Sequence, residues 1–252
     1  MRFFVRLLST VVIIVCALFS ASTAQAQWTG KAELGVMVSS GNAEATSANT
    51  KFDLAHESEK WRQTIYAGAL YGANGEFTTA ERFEARYQLD YKINDRLSWF
   101  GALRGEQDRF SGFVYQATVS TGAAYKFIDS PTTKFAGSLG AGYRTLKEEV
   151  LIKTDAGEVI DRIEGESESD PVIVLGSTFE HNFNETTKLT NKMLAESGSD
   201  NTAVQDDISL QVNMNKTLAL AVGFGVRYNT DPPPLSKTTD LLTTINLVYN
   251  IK

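Results

Sequence analysis

The feature that most constrains this chain is an alternation of apolar and polar side chains at a period of two, held over unusually long stretches. Phe83, Ala85, Tyr87, Leu89, Tyr91 and Ile93 share one face of a ribbon, while Arg82, Glu84, Arg86, Gln88, Asp90 and Lys92 share the other. One face wants hydrocarbon and the other water. Tyr115, Ala117, Val119, Ala123, Tyr125 and Phe127 repeat the pattern, as do Leu218, Leu220, Val222, Phe224, Val226 and Tyr228. These runs extend over roughly ten to fifteen residues, whereas ordinary strands have a mode near five or six and a tilted membrane-spanning strand needs about nine to eleven. Recurrence at three- and four-residue spacing is absent from the rest of the chain, so helices are not expected.

The same reading gives twelve strands, at 28–39, 45–56, 61–72, 79–93, 97–109, 114–128, 132–147, 171–183, 187–196, 202–214, 217–229 and 238–251. Their connections alternate. Tight ones fall at 57–60, 94–96, 129–131, 184–186 and 215–216, and the intervening ones are mostly longer, with 148–170 the longest. Short turns at one end and long loops at the other are the habit of an antiparallel up-and-down transmembrane β-barrel, with the short set in the periplasm. In that frame Trp28, Trp61 and Trp99 begin upward strands, and Tyr91, Tyr125, Phe127 and Phe183 end downward ones, forming an interfacial aromatic girdle. Unpaired strand edges in hydrocarbon cost several kcal/mol per group, so the first and last strands are expected to pair. Outer-membrane barrels commonly end on an aromatic residue; here the chain ends on Lys252, with Tyr249 the nearest substitute.

Compartment follows from the first residues. Arg2 and Arg6 precede an apolar stretch from Leu7 to Phe19, and Ala24-Gln25-Ala26 supplies small residues for cleavage, so 1–26 reads as a secretory signal peptide and 27–252 as the barrel. The apolar stretch is shorter than the roughly twenty residues a spanning helix needs. Cys16 leaves with the leader, so the remaining chain offers neither a disulfide nor a thiolate metal site nor a thiol nucleophile. Without Arg2 and Arg6 there are 22 basic against 30 acidic residues, a net charge of −8, and no basic block, which argues against nucleic acid as a partner.

Charge concentrates on faces that a barrel turns inward: Arg82, Glu84, Arg86, Asp90 and Lys92 on one strand, then Arg104, Glu106 and Asp108 on the next. These residues either knit into a structural plug or line a narrow, selective path, since twelve strands enclose a bore between that of filled eight-stranded barrels and open porins. Two histidines, His56 and His181, are the conventional candidates for a catalytic base; His181 is in phase with Ile173, Leu175 and Phe179 and would face lipid, the placement of a membrane hydrolase or acyltransferase. The acidic stretch 148–170 could offer oxygen ligands to calcium or magnesium, but the calcium-loop spacing is missing and a solvated surface loop is the simpler reading, with Asp155-Ala156-Gly157 turning a hairpin above the membrane. Pro232-Pro233-Pro234 supplies no amide donors and must lie in a loop. No metal site, cofactor fingerprint or catalytic residue is assigned.

Gly30-Lys31-Ala32-Glu33-Leu34-Gly35, then Ser40-Gly41-Asn42, Trp61 and Gly140-Ala141-Gly142-Tyr143-Arg144, resemble the pattern of a family of unknown function known as salt-induced outer-membrane proteins. The resemblance implies an outer-membrane barrel without established catalytic residues. The expectation is an integral, non-enzymatic outer-membrane protein of a Gram-negative bacterium, structural or a narrow diffusion channel. Its partners would be outer-membrane lipid, lipopolysaccharide and the barrel assembly machinery. A lipid-face enzyme and a soluble periplasmic β-sandwich binding protein are the alternatives.

Overall fold

The computed structural model describes residues 28–40, 45–74, 77–109, 111–154, 159–234 and 236–251. They form twelve strands: β1 (Trp28–Ser40), β2 (Ala45–Glu57), β3 (Trp61–Asn74), β4 (Phe77–Lys92), β5 (Leu97–Asp108), β6 (Phe113–Asp129), β7 (Thr133–Lys153), β8 (Val159–Asn182), β9 (Thr187–Ser197), β10 (Thr202–Asn213), β11 (Leu218–Asn229) and β12 (Thr239–Ile251). Each strand pairs antiparallel with its neighbours in sequence, and β1 pairs with β12 from Gly30↔Ile251 to Ser40↔Leu241, closing the sheet on itself. A two-sheet sandwich, the soluble alternative, is thereby excluded: there is one sheet and it has no long free edge in the wall. The leader expected at 1–26 lies outside the described residues.

Closure sorts the side chains in the direction opposite to a water-soluble protein. Leu34, Leu103 and Leu139 are left 65%, 57% and 59% exposed by the protein, whereas Arg144, Asn246 and Glu196 are 1%, 2% and 3% exposed. Successive residues of a strand point to opposite sides, so one alternating sequence supplies an apolar outer band and a polar bore at once. The outer band includes Val119, Leu175, Leu220, Val222 and Leu247, drawn from strands all round the wall.

The tight turns carry their own fastening. The side-chain oxygens of Asn94, Asn184 and Asn215 each accept from the backbone amides two and three residues on, at 2.8–2.9 Å, and Ser58 and Ser130 make the equivalent closure with Trp61 and Thr133. Asn and Ser side chains in this role mimic a backbone turn and fix the register of the hairpin they join. At the same end the aromatic girdle stands as expected: Trp61 meets Tyr91 at 4.9 Å between ring centroids, and Tyr125 and Phe135 flank Phe127 at 5.2 and 5.4 Å.

The long acidic connection is a hairpin, as expected, but its strands are longer than the sequence suggested and its end is packed. Strands β7 and β8 continue past the barrel wall as a paired ribbon that reaches Lys153↔Val159, with the turn itself outside the described residues. This hairpin does not stand free above the barrel. Its end, Val159, packs against the cluster of Leu70 of β3 and Ala80 of β4, as does Leu242 of β12, and Leu151 of the hairpin is buried. Register shifts at Lys147/Glu149 and Ile152/Lys153 accompany the bend, as bulges do by adding local twist. Charges on both faces of the ribbon obscured its alternation, so sequence reading ended β7 at 147 and began β8 at 171.

Candidate functional site

The lumen is the site, and its structure follows from the inward faces of a few strands. Arg82, Glu84 and Arg86 point inward from β4, and Arg104, Glu106 and Asp108 from β5; across the bore stand Glu196 of β9, Gln205 of β10 and Arg227 of β11. Four contacts bridge the two walls. Arg104 reaches Glu196 at 3.2 Å, Arg227 reaches Glu106 at 2.6 Å and Glu84 at 3.2 Å, and Arg86 donates to Gln205 at 2.7 Å. Along the near wall Arg104 also holds Glu106 at 2.5 Å, Arg86 holds Glu84 at 2.5 Å, and Arg82 pairs with Asp108. Arg82, Arg86, Arg104 and Arg227 thus answer Glu84, Glu106, Asp108 and Glu196, four charges against four. Charges buried this deeply survive only when paired and hydrogen-bonded. Asp108, Glu196 and Arg227 stand at or near the long-loop ends of their strands, so the network closes that half of the bore.

Below the network lies a cavity of about 1030 Å³, lined by Glu33, Asn49, Tyr66, Asp90 and Asn246 and continued down to the exposed turn residues Glu59, Lys60 and Asn94. The Arg86 guanidinium lies over the Tyr66 ring, 5.4 Å from its centroid. Among the described residues a single ion pair, Lys192 to Asp53, crosses this lower half, and its lysine is half exposed. Above the network lies a cleft of about 70 Å³.

Two loops cap the cleft. The proline segment expected to be a stiff loop is one, and it folds inward: Pro233 is fully buried, and a Cβ on Gly112 would sit 3.1 Å from it. Gly112 has φ +85°, a conformation that side-chain-bearing residues rarely adopt, and it lets the β5–β6 loop approach the prolines. The β7–β8 hairpin forms the second cap. Arg162 pairs with Glu149 at 2.6 Å and donates to the Arg109 carbonyl at 2.8 Å, tying the hairpin to the same loop. Burial, opposed by Arg162, raises the affinity of Glu149 for a proton, and burial together with Glu168 and Asp231 does the same for Glu148. Two of the hairpin's other carboxylates have cation partners within the chain: Glu164 is taken by Lys147 and Asp170 by Arg144.

Every lumenal charge anticipated on β4 and β5 faces the bore; Lys92, nearest the turns, pairs with Glu57 at 2.5 Å. Sequence reasoning missed the opposite wall, although Arg227 breaks an otherwise small Ala-Gly face on β11 and was open to notice. The histidines belong to the girdle. His56 lies 5.1 Å from Trp28, and His181 sits between Phe179 and Phe183 with its Nδ1 2.9 Å from the Thr133 hydroxyl, a contact that supplies no carboxylate to orient a base.

Residues 32–251 match a family described as "Protein of unknown function, DUF481"; that description makes no reference to salt. Among curated proteins, an uncharacterized protein of Escherichia coli strain K12, YdiY, is 21% identical over 91% of this chain and 86% of its own length. Among solved structures, the NanC porin superposes with a TM-score of 0.53 at 10% identity, covering 86% of this chain and 98% of NanC, a likeness of fold. The KdgM porin gives 0.44 at 9% identity over 87% and 98% of the two chains.

Proposed function

We propose that this chain, which belongs to the DUF481 family of proteins of unknown function, is an integral outer-membrane protein that works as a narrow channel for small polar solutes and is closed in the described conformation. The observation that carries this reading is the cavity of about 1030 Å³ beneath a lumenal network with four charges of each sign. A barrel stiffened for strength alone has no use for a water-filled half-bore, whereas a conduit does. The fold likeness to NanC, itself described as a porin, agrees with it. Export through the leader at 1–26, insertion by the barrel assembly machinery and residence among lipopolysaccharide complete the proposal. The lipid-face enzyme reading draws no support from His181, which keeps company with Thr133 and two aromatic rings.

Single-channel recording in planar bilayers tests the channel. The intact protein should give small, brief openings, and a variant with 148–170 replaced by a short turn should give longer and larger ones. Silence from both proteins, each shown to be folded by heat-modifiable gel mobility, would overturn the channel in favour of a structural barrel. Recovery of the protein in the salt-soluble fraction would overturn the membrane placement.

A further inference from the structure

Among the described residues a few buried polar atoms lack partners; those of Thr118, Arg144 and Asn201 lie elsewhere, but four gather at one place in the bore. Asn49 of β2 is 5% exposed and lines the cavity, yet neither its Nδ2 nor its Oδ1 has a hydrogen-bond partner, and Ser47 Oγ, two residues along the same face, has none either. Across β1 stands Asn246, 2% exposed, whose Nδ2 donates to Glu33 at 2.8 Å while its Oδ1 is unpartnered. Gly35 lies between the two amides in register, Gly35↔Asn49 and Gly35↔Asn246, and the Asn246 Oδ1 occupies the space a Cβ there would take. Buried amides and hydroxyls left without partners are costly, so such a cluster calls for an occupant that supplies both donors and acceptors.

The carboxylates nearby are already answered. Lys31 pairs with Glu33 at 2.6 Å, Lys51 stands opposite Glu33 in the β1–β2 ladder, and Lys192 pairs with Asp53. What remains unpartnered in this cluster is uncharged: two carboxamide oxygens, one carboxamide NH2 and one hydroxyl. A charged solute would have to compete with the pairings at Glu33 and Asp53, whereas a solute rich in hydroxyls, each a donor and an acceptor, would complete the cluster as it stands. The ring of Tyr66 lines the same cavity.

We propose that the lumen holds a binding site for an uncharged polyhydroxylated solute, of the sugar or polyol class, centred on Asn49 and completed by Ser47 and Asn246. This rests on reading the lumen as a solute path and names what the path would take. The test is saturation-transfer NMR on the full chain in an amine-oxide detergent, which carries no sugar, with sucrose as the probe and potassium gluconate as the charged competitor. Sucrose should receive saturation from the wild-type protein, gluconate should fail to displace it, and Asn49→Leu should weaken binding about tenfold, the order expected when hydrogen bonds to an uncharged ligand are lost. Ser47→Ala should weaken it less, and serves if Asn49→Leu loses heat-modifiable mobility. No transfer to sucrose, transfer unchanged in folded Asn49→Leu, or displacement by gluconate would overturn the site, leaving the cluster filled by solvent only. Conductance without sucrose binding removes the site and spares the channel; Asn49-dependent binding without conductance spares the site and removes the channel.

Discussion

In the long-loop half of the lumen, arginines and carboxylates meet across the bore in a buried network, whereas in the tight-turn half one half-exposed pair, Lys192 to Asp53, crosses an open cavity. Both halves set cations against carboxylates. The difference lies in how far each charge is from water, and it decides what the charges do. Pairs withdrawn from water cannot be broken singly without stranding a partner, so they act as a wall. Pairs left wet cost little to form or break, so they leave a passage.

That contrast can be broken by taking one carboxylate from each half. Glu106→Ala removes the carboxylate that Arg104 and Arg227 share, leaving the buried network with one arginine too many, and should cost about 3–5 kcal/mol, read from denaturant unfolding of the detergent-solubilised barrel, with conductance rising as the wall opens. Val159→Asp unlatches the hairpin without touching the network. Losing contact with the Leu70 and Ala80 cluster should cost the lid up to about 1.5 kcal/mol, read as faster proteolysis within 148–170 and no change in global unfolding. Asp53→Ala in the wet half should cost less than about 1 kcal/mol by the same unfolding assay and leave the closed state closed. A cost equal to that of Glu106→Ala would erase the distinction between the halves.

The smallest effect is one of pH on the lid. Glu148 and Glu149 lie beyond the barrel wall and hold a proton more readily when folded than when free, chiefly through burial. Their contribution to lid stability is therefore fully present below the ordinary carboxylate range and is lost as pH rises through their raised values. Hydrogen exchange of the β7–β8 amides beyond the wall, corrected for intrinsic rate, should show more protection under mild acid than at neutral pH. Equal protection would remove these two carboxylates from the account.

Legibility followed sequence distance. The faces of β4, β5, β6 and β11 were readable because their information is local: Phe83 to Ile93 and Leu218 to Tyr228 state inward and outward two residues at a time. The tight turns were readable for the same reason, each being set by one Asn or Ser acting within three residues. What could not be read depends on closure. Arg104 finds Glu196 92 residues away, Arg227 finds Glu106 and Glu84 at separations of 121 and 143, and no pattern along the chain states the strand stagger that brings them face to face. The fate of the 148–170 hairpin was hidden for a related reason. Val159 reads as one apolar residue in an acidic stretch until the ring places Leu70 and Ala80 against it. Asn49 was invisible because an unpartnered amide is defined by its neighbours.

The seam between β1 and β12 bears on time rather than on energy. The Asn246–Glu33 hydrogen bond across it joins residues 213 apart, and its ladder runs from Gly30↔Ile251 to Ser40↔Leu241, while the other wall ladders join consecutive strands. Eleven local pairings can form in any order, but the last must bring together the two ends of the sheet, and contacts of such sequence separation are the slow ones. Until that step the chain presents two unpaired edges that hydrocarbon will not tolerate. The barrel therefore has no useful half-built form in the membrane, and losing either terminal strand would open the whole circle rather than shorten it by one stave.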